Sequence, residues 1–121
     1  MNRLPDQLLD YVADRFRVLS DANRLRILRH LMDHGEATVG ELVEATRCSQ
    51  ANVSKHLRVL LDARVVRRRA EGTSARYSVA DPSVPVLCDV VCAGIRQRVL
   101  AEAALVAGNP NAEIPPLVPQ T

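Results

Sequence analysis

The chain has 121 residues, of which 47% are hydrophobic and 25% charged, which fits one domain with an apolar fraction ample for a core. Aromatic side chains are scarce (Tyr11, Phe16 and Tyr77), so the core must be built from Leu, Val, Ile and Ala, and the ring platforms that stack single-stranded nucleic acid are excluded. Three cysteines give no disulfide framework, no stretch approaches the roughly 18 to 20 apolar residues of a membrane span, and the early acids Asp6 and Asp10 do not suit a signal peptide. These features predict a reduced, cytoplasmic protein that does not enter a membrane.

The first helix is predicted over residues 5–18, where Leu8, Leu9, Val12, Phe16 and Leu19 recur at helical spacing and Pro5 suits the first turn. A second helix restarts after Ser20 or Asp21 as cap, with Leu25, Ile27, Leu28, Leu31 and Met32 apolar down to Gly35. Thr38 can cap a short third helix, Val39 to Ala45, with Glu41 placed as the reciprocal partner of a capping box. A turn from Thr46 to Ser49 then leads into a fourth helix, for which Ser49 is the predicted N-cap.

That fourth helix carries the most information. Val53, Leu57, Leu60 and Leu61 form one face, while Gln50, Asn52, Ser54, Lys55, His56 and Arg58 occupy the other. These polar types hydrogen-bond to base edges and phosphates in a major groove, and Lys55 is the only lysine of the chain. Gln50 and Asn52 are the expected base readers by amide geometry. Ser54, Lys55 and His56 are expected to make phosphate or mixed contacts, with a packed structural imidazole as the other reading of His56.

After Ala63 the periodicity changes from 3.6 to 2. Val65–Ala70 and Ala75–Val79 are predicted strands of a hairpin whose turn, residues 71–74, includes Gly72. Strand alternation puts Arg67 and Arg69 on one face and Arg68 on the other. Residues 47–79 hold eight basic side chains against Asp62 and Glu71, a balance of +6, while each flanking segment carries −2. That local patch, including Arg76, is the footprint expected for phosphate binding. Arg24 and Arg47 are further candidate phosphate anchors. A last helix is predicted from Pro82 to about Ala107, with Val84, Leu87, Val91, Ile95, Val99 and Leu105 as its buried stripe. Residues 108–121, with four prolines, are predicted to form a disordered tail beyond a single domain spanning 1–107.

The expected fold is therefore mainly α (α+β): a winged helix-turn-helix with added N- and C-terminal dimerisation helices and a two-stranded β-wing. The outer helices are more apolar than a small monomer needs, and a two-fold dimer suits duplex DNA, whose half-sites recur about one turn apart. No Gly-rich phosphate loop, nucleophile motif or pair of acids suggests catalysis, so no catalytic residue is expected and the chain does not read as an enzyme. His30 and His34, four apart on the second helix, lack a third ligand and read as surface residues.

The phrases Leu19-Ser-Asp-Ala-Asn-Arg-Leu-Arg-Ile-Leu28, Gly40-Glu-Leu42, Ser49-Gln-Ala-Asn-Val-Ser-Lys-His-Leu57, Val65-Val66, Glu71-Gly72 and Arg76-Tyr77 together resemble the ArsR/SmtB family of bacterial repressors over about residues 8–105. The resemblance implies a homodimer, formed through the first and last helices, that binds an imperfectly palindromic double-stranded operator. It also implies release by a metal, metalloid or oxidant. The DNA-binding set it supports is Ser49, Gln50, Asn52, Ser54, Lys55, His56, Arg58, Arg67, Arg69, Gly72 and Arg76.

The family's sensing sites are a poorer match. Its third-helix Cys-Val-Cys pattern is replaced by Thr38-Val39-Gly40. Asp81 fits the start of its zinc-type site, but Gly94 and Gln97 stand near the later His and Glu positions. Cys88 and Cys92 remain, one helical turn apart, and two readings stand for them: a thiol site for a thiophilic metal, metalloid or oxidant, or small apolar fillers. Cys48 carries the same two readings. A protein-interaction module, or a regulator of this family without a small inducer, are the alternatives.

Overall fold

In the computed structural model, which describes residues 4–108 and Asn111, five helices and one hairpin follow in the predicted order. They are α1 (Asp6–Leu19), α2 (Ala22–His34), α3 (Val39–Thr46), α4 (Gln50–Asp62), β1 (Val66–Glu71), β2 (Ser74–Val79) and α5 (Ser83–Gly108). The chain divides into two compact units, Met1–Pro82 and Ser83–Thr121. The tail expected at 108–121 lies, apart from Gly108 and Asn111, outside the described residues.

Helix starts follow local chemistry. The Asp21 carboxylate accepts the Asn23 and Arg24 amides, and the Ser49 hydroxyl accepts that of Asn52, so both helices begin where a side chain satisfies otherwise orphaned donors. Thr38 caps α3 through the Glu41 amide at 3.2 Å. The Glu41 carboxylate, expected to reach back in a capping box, lies instead 3.6 Å from Arg76 Nη1.

Helix ends are less usual. Gly35 stops α2 at φ 86°, as its missing Cβ allows. The ends of α3 and α4, however, place arginines in the left-handed region, Arg47 at φ 59° and Arg64 at φ 60°. At Arg64 the amides of Arg64 and Val65 bond to Leu61 and Leu60 oxygens, a Schellman closure that normally uses glycine. An arginine there costs about 1 kcal/mol of backbone strain.

The first unit is built around α2, α3, α4 and the hairpin. Ile27, Leu28 and Leu31 of α2, Leu42 of α3, and Val53, Leu57 and Leu60 of α4 are fully buried, joined by Val65 and Val66. The hairpin is antiparallel with Arg69 opposite Arg76 and Glu71 opposite Ser74. Its turn is tighter than expected. Only Gly72 and Thr73 lie between the strands, and Gly72 at φ 61° supplies the positive φ that the first central position of a type II′ turn requires. The wing is tied to the helical body by a backbone bridge in which Ala37 and Tyr77 exchange both amide hydrogen bonds, at 3.0 and 2.8 Å.

Helix α5 corrects one expectation. Of its predicted buried stripe only Val84 is buried; Leu87 and Val99 are half-buried, while Val91, Ile95 and Leu105 are exposed in the single chain. On α1, Leu8, Leu9 and Phe16 are exposed as well. Periodicity marked these faces as apolar, but it does not say whether a chain covers them itself.

Candidate nucleic-acid interface

The helix-turn-helix turn is held by Thr46. Its buried hydroxyl donates to the Leu42 carbonyl at 2.7 Å and accepts the Cys48 amide at 3.3 Å, fixing the direction in which the chain enters α4. Cys48 is half-buried in the same turn, its thiol 3.8 Å from the Thr46 carbonyl. Helix α4 then turns Val53, Leu57 and Leu60 inward and leaves Gln50, Asn52, Ser54, Lys55 and Arg58 exposed. The Ser49 hydroxyl is engaged as the cap, and Arg58 lies 3.5 Å from Asp62 one turn on.

His56 is the exception on this helix. It is only 9% exposed and lies on the inward side. Its Nδ1 is 3.4 Å from Arg24 Nη1, and its Nε2 is 3.9 Å from Asp21 Oδ1. A guanidinium has only donors, so Nδ1 acts as acceptor and the ring proton falls on Nε2, toward Asp21. The reading as a packed imidazole is the one this position fits. Sequence offered the signal: residues 53, 56, 57 and 60 repeat as i, i+3, i+4 and i+7, which puts His56 on the apolar stripe. Arg24, a candidate phosphate anchor, is likewise taken up internally, its Nε donating to the Val18 carbonyl at 2.6 Å. The two Asp21 amide hydrogen bonds, first that from Arg24, hold the Asp21 carboxyl below its ordinary range, with the Arg24 charge adding in the same direction against a desolvation cost.

On the wing the strand register sorts the arginines. Arg67, Arg69 and Glu71 share a face with Ser74, Arg76 and Ser78; Val66, Arg68 and Ala70 share the other with Ala75, Tyr77 and Val79. Arg69 forms a forked contact with Glu36 at 3.0–3.3 Å and touches Glu71 at 3.3 Å. Arg76 binds Glu71 at 2.9 Å and faces Glu41. The Glu36 hydrogen bonds, foremost, strengthen the hold of Arg69 on its proton. Gly72 sits exposed at the tip, and Arg67 makes one long contact, 3.5 Å, to the Ala80 carbonyl. Among the described residues, Arg47, Lys55, Arg64, Arg67 and Arg68 have no carboxylate partner. The acids Glu36 and Glu41, and the absorption of Arg69 and Arg76 by them, had no signal in the local sequence.

The thiols on α5 lie apart from this interface in sequence. Cys88 is half-buried and Cys92 exposed, with Arg96 Nη2 3.7 Å from the Cys92 sulfur. Burial, then the charges of Asp89 and Cys92, pushes the Cys88 thiol up, so it is held protonated at neutral pH. Among the described residues no group of three or more His, Cys, Asp or Glu side chains could hold a metal ion. Asp81 is bound by Arg15, whose other nitrogen donates to the Ala63 carbonyl at 2.9 Å. His30 and His34 stack with ring centroids 4.1 Å apart. No described helix is long and apolar enough to cross a membrane.

Known proteins give this geometry a context. The family profile described as "Bacterial regulatory protein, arsR family" matches residues 21–68, from the α2 cap into the first half of β1. The chain is 30% identical to the arsenical resistance operon repressor of Bacillus subtilis, over 81% of its own length and 94% of that protein's. Among solved structures it resembles Rv0081 of Mycobacterium tuberculosis, with a TM-score of 0.69 and 32% identity over 83% of this chain and 99% of the other. It also resembles a homodimeric winged helix-turn-helix DNA-binding domain from Mycobacterium bovis, with a TM-score of 0.68 and 31% identity over 80% of this chain and 92% of that one.

Proposed function

Since the chain belongs to the ArsR family of bacterial regulatory proteins, it is a DNA-binding transcriptional regulator of the winged-helix type, and we propose that it works as a homodimeric cytoplasmic repressor on a palindromic double-stranded operator. The observation that carries this reading is α4 itself: a helix seated by Val53, Leu57 and Leu60, whose exposed side offers Gln50, Asn52, Ser54 and Lys55. Gln50 and Asn52 read base edges in the major groove; Ser54, Lys55 and the wing's unpaired Arg67 and Arg68 hold phosphates. The test is selection of duplexes from a random pool by the wild-type protein, followed by binding of Gln50→Ala. Gln50→Ala should lose about 1–3 kcal/mol of discrimination at one position of each half-site, with little change on unrelated duplex. Failure to enrich any sequence argues against the reading, as does a Gln50→Ala profile identical to wild type.

For release we propose Cys88 and Cys92 as the site of a thiophilic ligand. Their one-turn spacing supports it, as does the relation to a repressor of an arsenical resistance operon. Because the Cys88 thiol is held protonated, a soft divalent cation must expel that proton to solvent and is captured more weakly as pH falls, whereas arsenous acid removes it as water with one of its own hydroxyls. Arsenite should release the wild-type protein from its selected duplex and leave Cys88→Ser/Cys92→Ser bound, as read by gel shift. A double variant that still responds excludes these thiols.

A further inference from the structure

The wing's polar face brings together two arginines and three glutamates from three parts of the fold. Arg69 and Arg76 are direct partners across the strands, a pairing of like charges that destabilises a hairpin unless something stands between them. Here Glu71 contacts both, while Glu36, just before the Ala37–Tyr77 bridge, forks onto Arg69 and Glu41 of α3 faces Arg76. The row Glu36–Arg69–Glu71–Arg76–Glu41 holds two guanidiniums and three carboxylates, leaving one net negative charge. The two guanidiniums of the row are thus already matched by carboxylates, whereas Arg67, on the same face but outside the row, has none. The members of the row reach from the wing to the segment before α3 and to α3 itself, the helix that precedes the reading helix.

We infer that Arg69 and Arg76 are positioning residues, an ionic staple that with the Ala37–Tyr77 bridge fixes the angle of the wing to the helix-turn-helix, and that phosphate contact on the wing belongs to Arg67 and Arg68. The inference rests on the duplex-binding reading above and refines it. Arg68 sits on the opposite face of β1, exposed and without a carboxylate partner. Single exposed ion pairs are weak, but a network anchored at a backbone bridge restrains a two-stranded ribbon that is only marginally stable alone.

Glu36 makes the two roles differ in sign. If Arg69 grips phosphate, Glu36 competes for it and Glu36→Ala strengthens binding. If Arg69 positions the wing, Glu36→Ala weakens binding, and Glu36→Ala/Arg69→Ala is no weaker than Arg69→Ala alone.

The experiment measures fluorescence-anisotropy titrations across a salt series, using a labelled duplex of about 30 base pairs, room for two half-sites, enriched from a random pool by the wild-type protein. Arg68→Ala should reduce the slope of log K against log salt by about 0.9 for each phosphate that the variant no longer neutralises. Arg69→Ala and Glu36→Ala should each weaken binding about twofold to fivefold, the range of exposed ion pairs, with the wild-type slope retained. Tighter binding by Glu36→Ala, or a flattened slope for Arg69→Ala, overturns the positioning role while duplex binding stands. A wild-type protein that enriches no duplex overturns both.

Discussion

A Val91→Glu/Ile95→Glu variant is expected to sediment as a monomer and to lose about 10²–10⁴-fold of its affinity for the selected duplex, the advantage that joining two half-site readers supplies. Val91 and Ile95 lie one turn apart on α5 and are 49% and 43% exposed in the single chain, where Val86, Val90 and Leu100 are exposed as well. By helical spacing Val86, Val90 and Leu100 fall on the side of α5 away from Val91 and Ile95, so the helix exposes apolar side chains all round, as helices covered by other chain do. Exposed Leu8, Leu9 and Phe16 on α1 point to the same requirement for a covering partner. A carboxylate at each position has to be desolvated without a counter-charge when such a surface closes, which disfavours association strongly. Analytical ultracentrifugation reads the assembly, gel shift the affinity, and circular dichroism checks that the helices persist. A dimer that survives with full affinity places the contact between copies elsewhere.

The parts of this fold that were legible in the sequence are those fixed by local chemistry. Thr38 and Ser49 announced two helix starts, and Ser20 or Asp21 a third, because a short acceptor before an apolar period satisfies amides that nothing else reaches. Gly72 announced the hairpin turn because few residues accept its φ. The reading helix was legible because its two faces differ in kind. Features that depend on distant partners were not. The Ala37–Tyr77 bridge is a pairing of backbone groups, to which side chains give no clue. Arg69 and Arg76 looked like free cations because Glu36 and Glu41 are remote in sequence. His56 is an intermediate case: its spacing placed it with Val53, Leu57 and Leu60, but its polarity suggested the other face. Two tendencies compete there, and the packing position prevailed because Asp21 and Arg24 supply the polar contacts that burial demands.

That same trio gives the second large effect. Asp21→Ala should destabilise the protein by about 1–2 kcal/mol, a cap's usual worth, lowering the melting temperature by several degrees. The carboxylate accepts two amides at the start of α2 and lies 3.9 Å from His56 Nε2, so its loss uncaps α2 and removes the carboxylate that faces a buried ring on α4. The difference from wild type should also depend on pH. The Asp21 carboxyl is held below its ordinary value of 3.8, so its stabilisation is complete above that value and is lost as pH falls through the lower folded-state value. Urea melts at neutral pH should therefore show the full gap, and melts below about pH 4 a narrowing one. Asp21→Asn separates the contributions: an amide oxygen still caps the helix, so this variant should recover most of the lost stability while removing the acid dependence. A gap between Asp21→Ala and wild type that stays constant from neutral to acid pH would show that the carboxylate's charge contributes nothing at this junction.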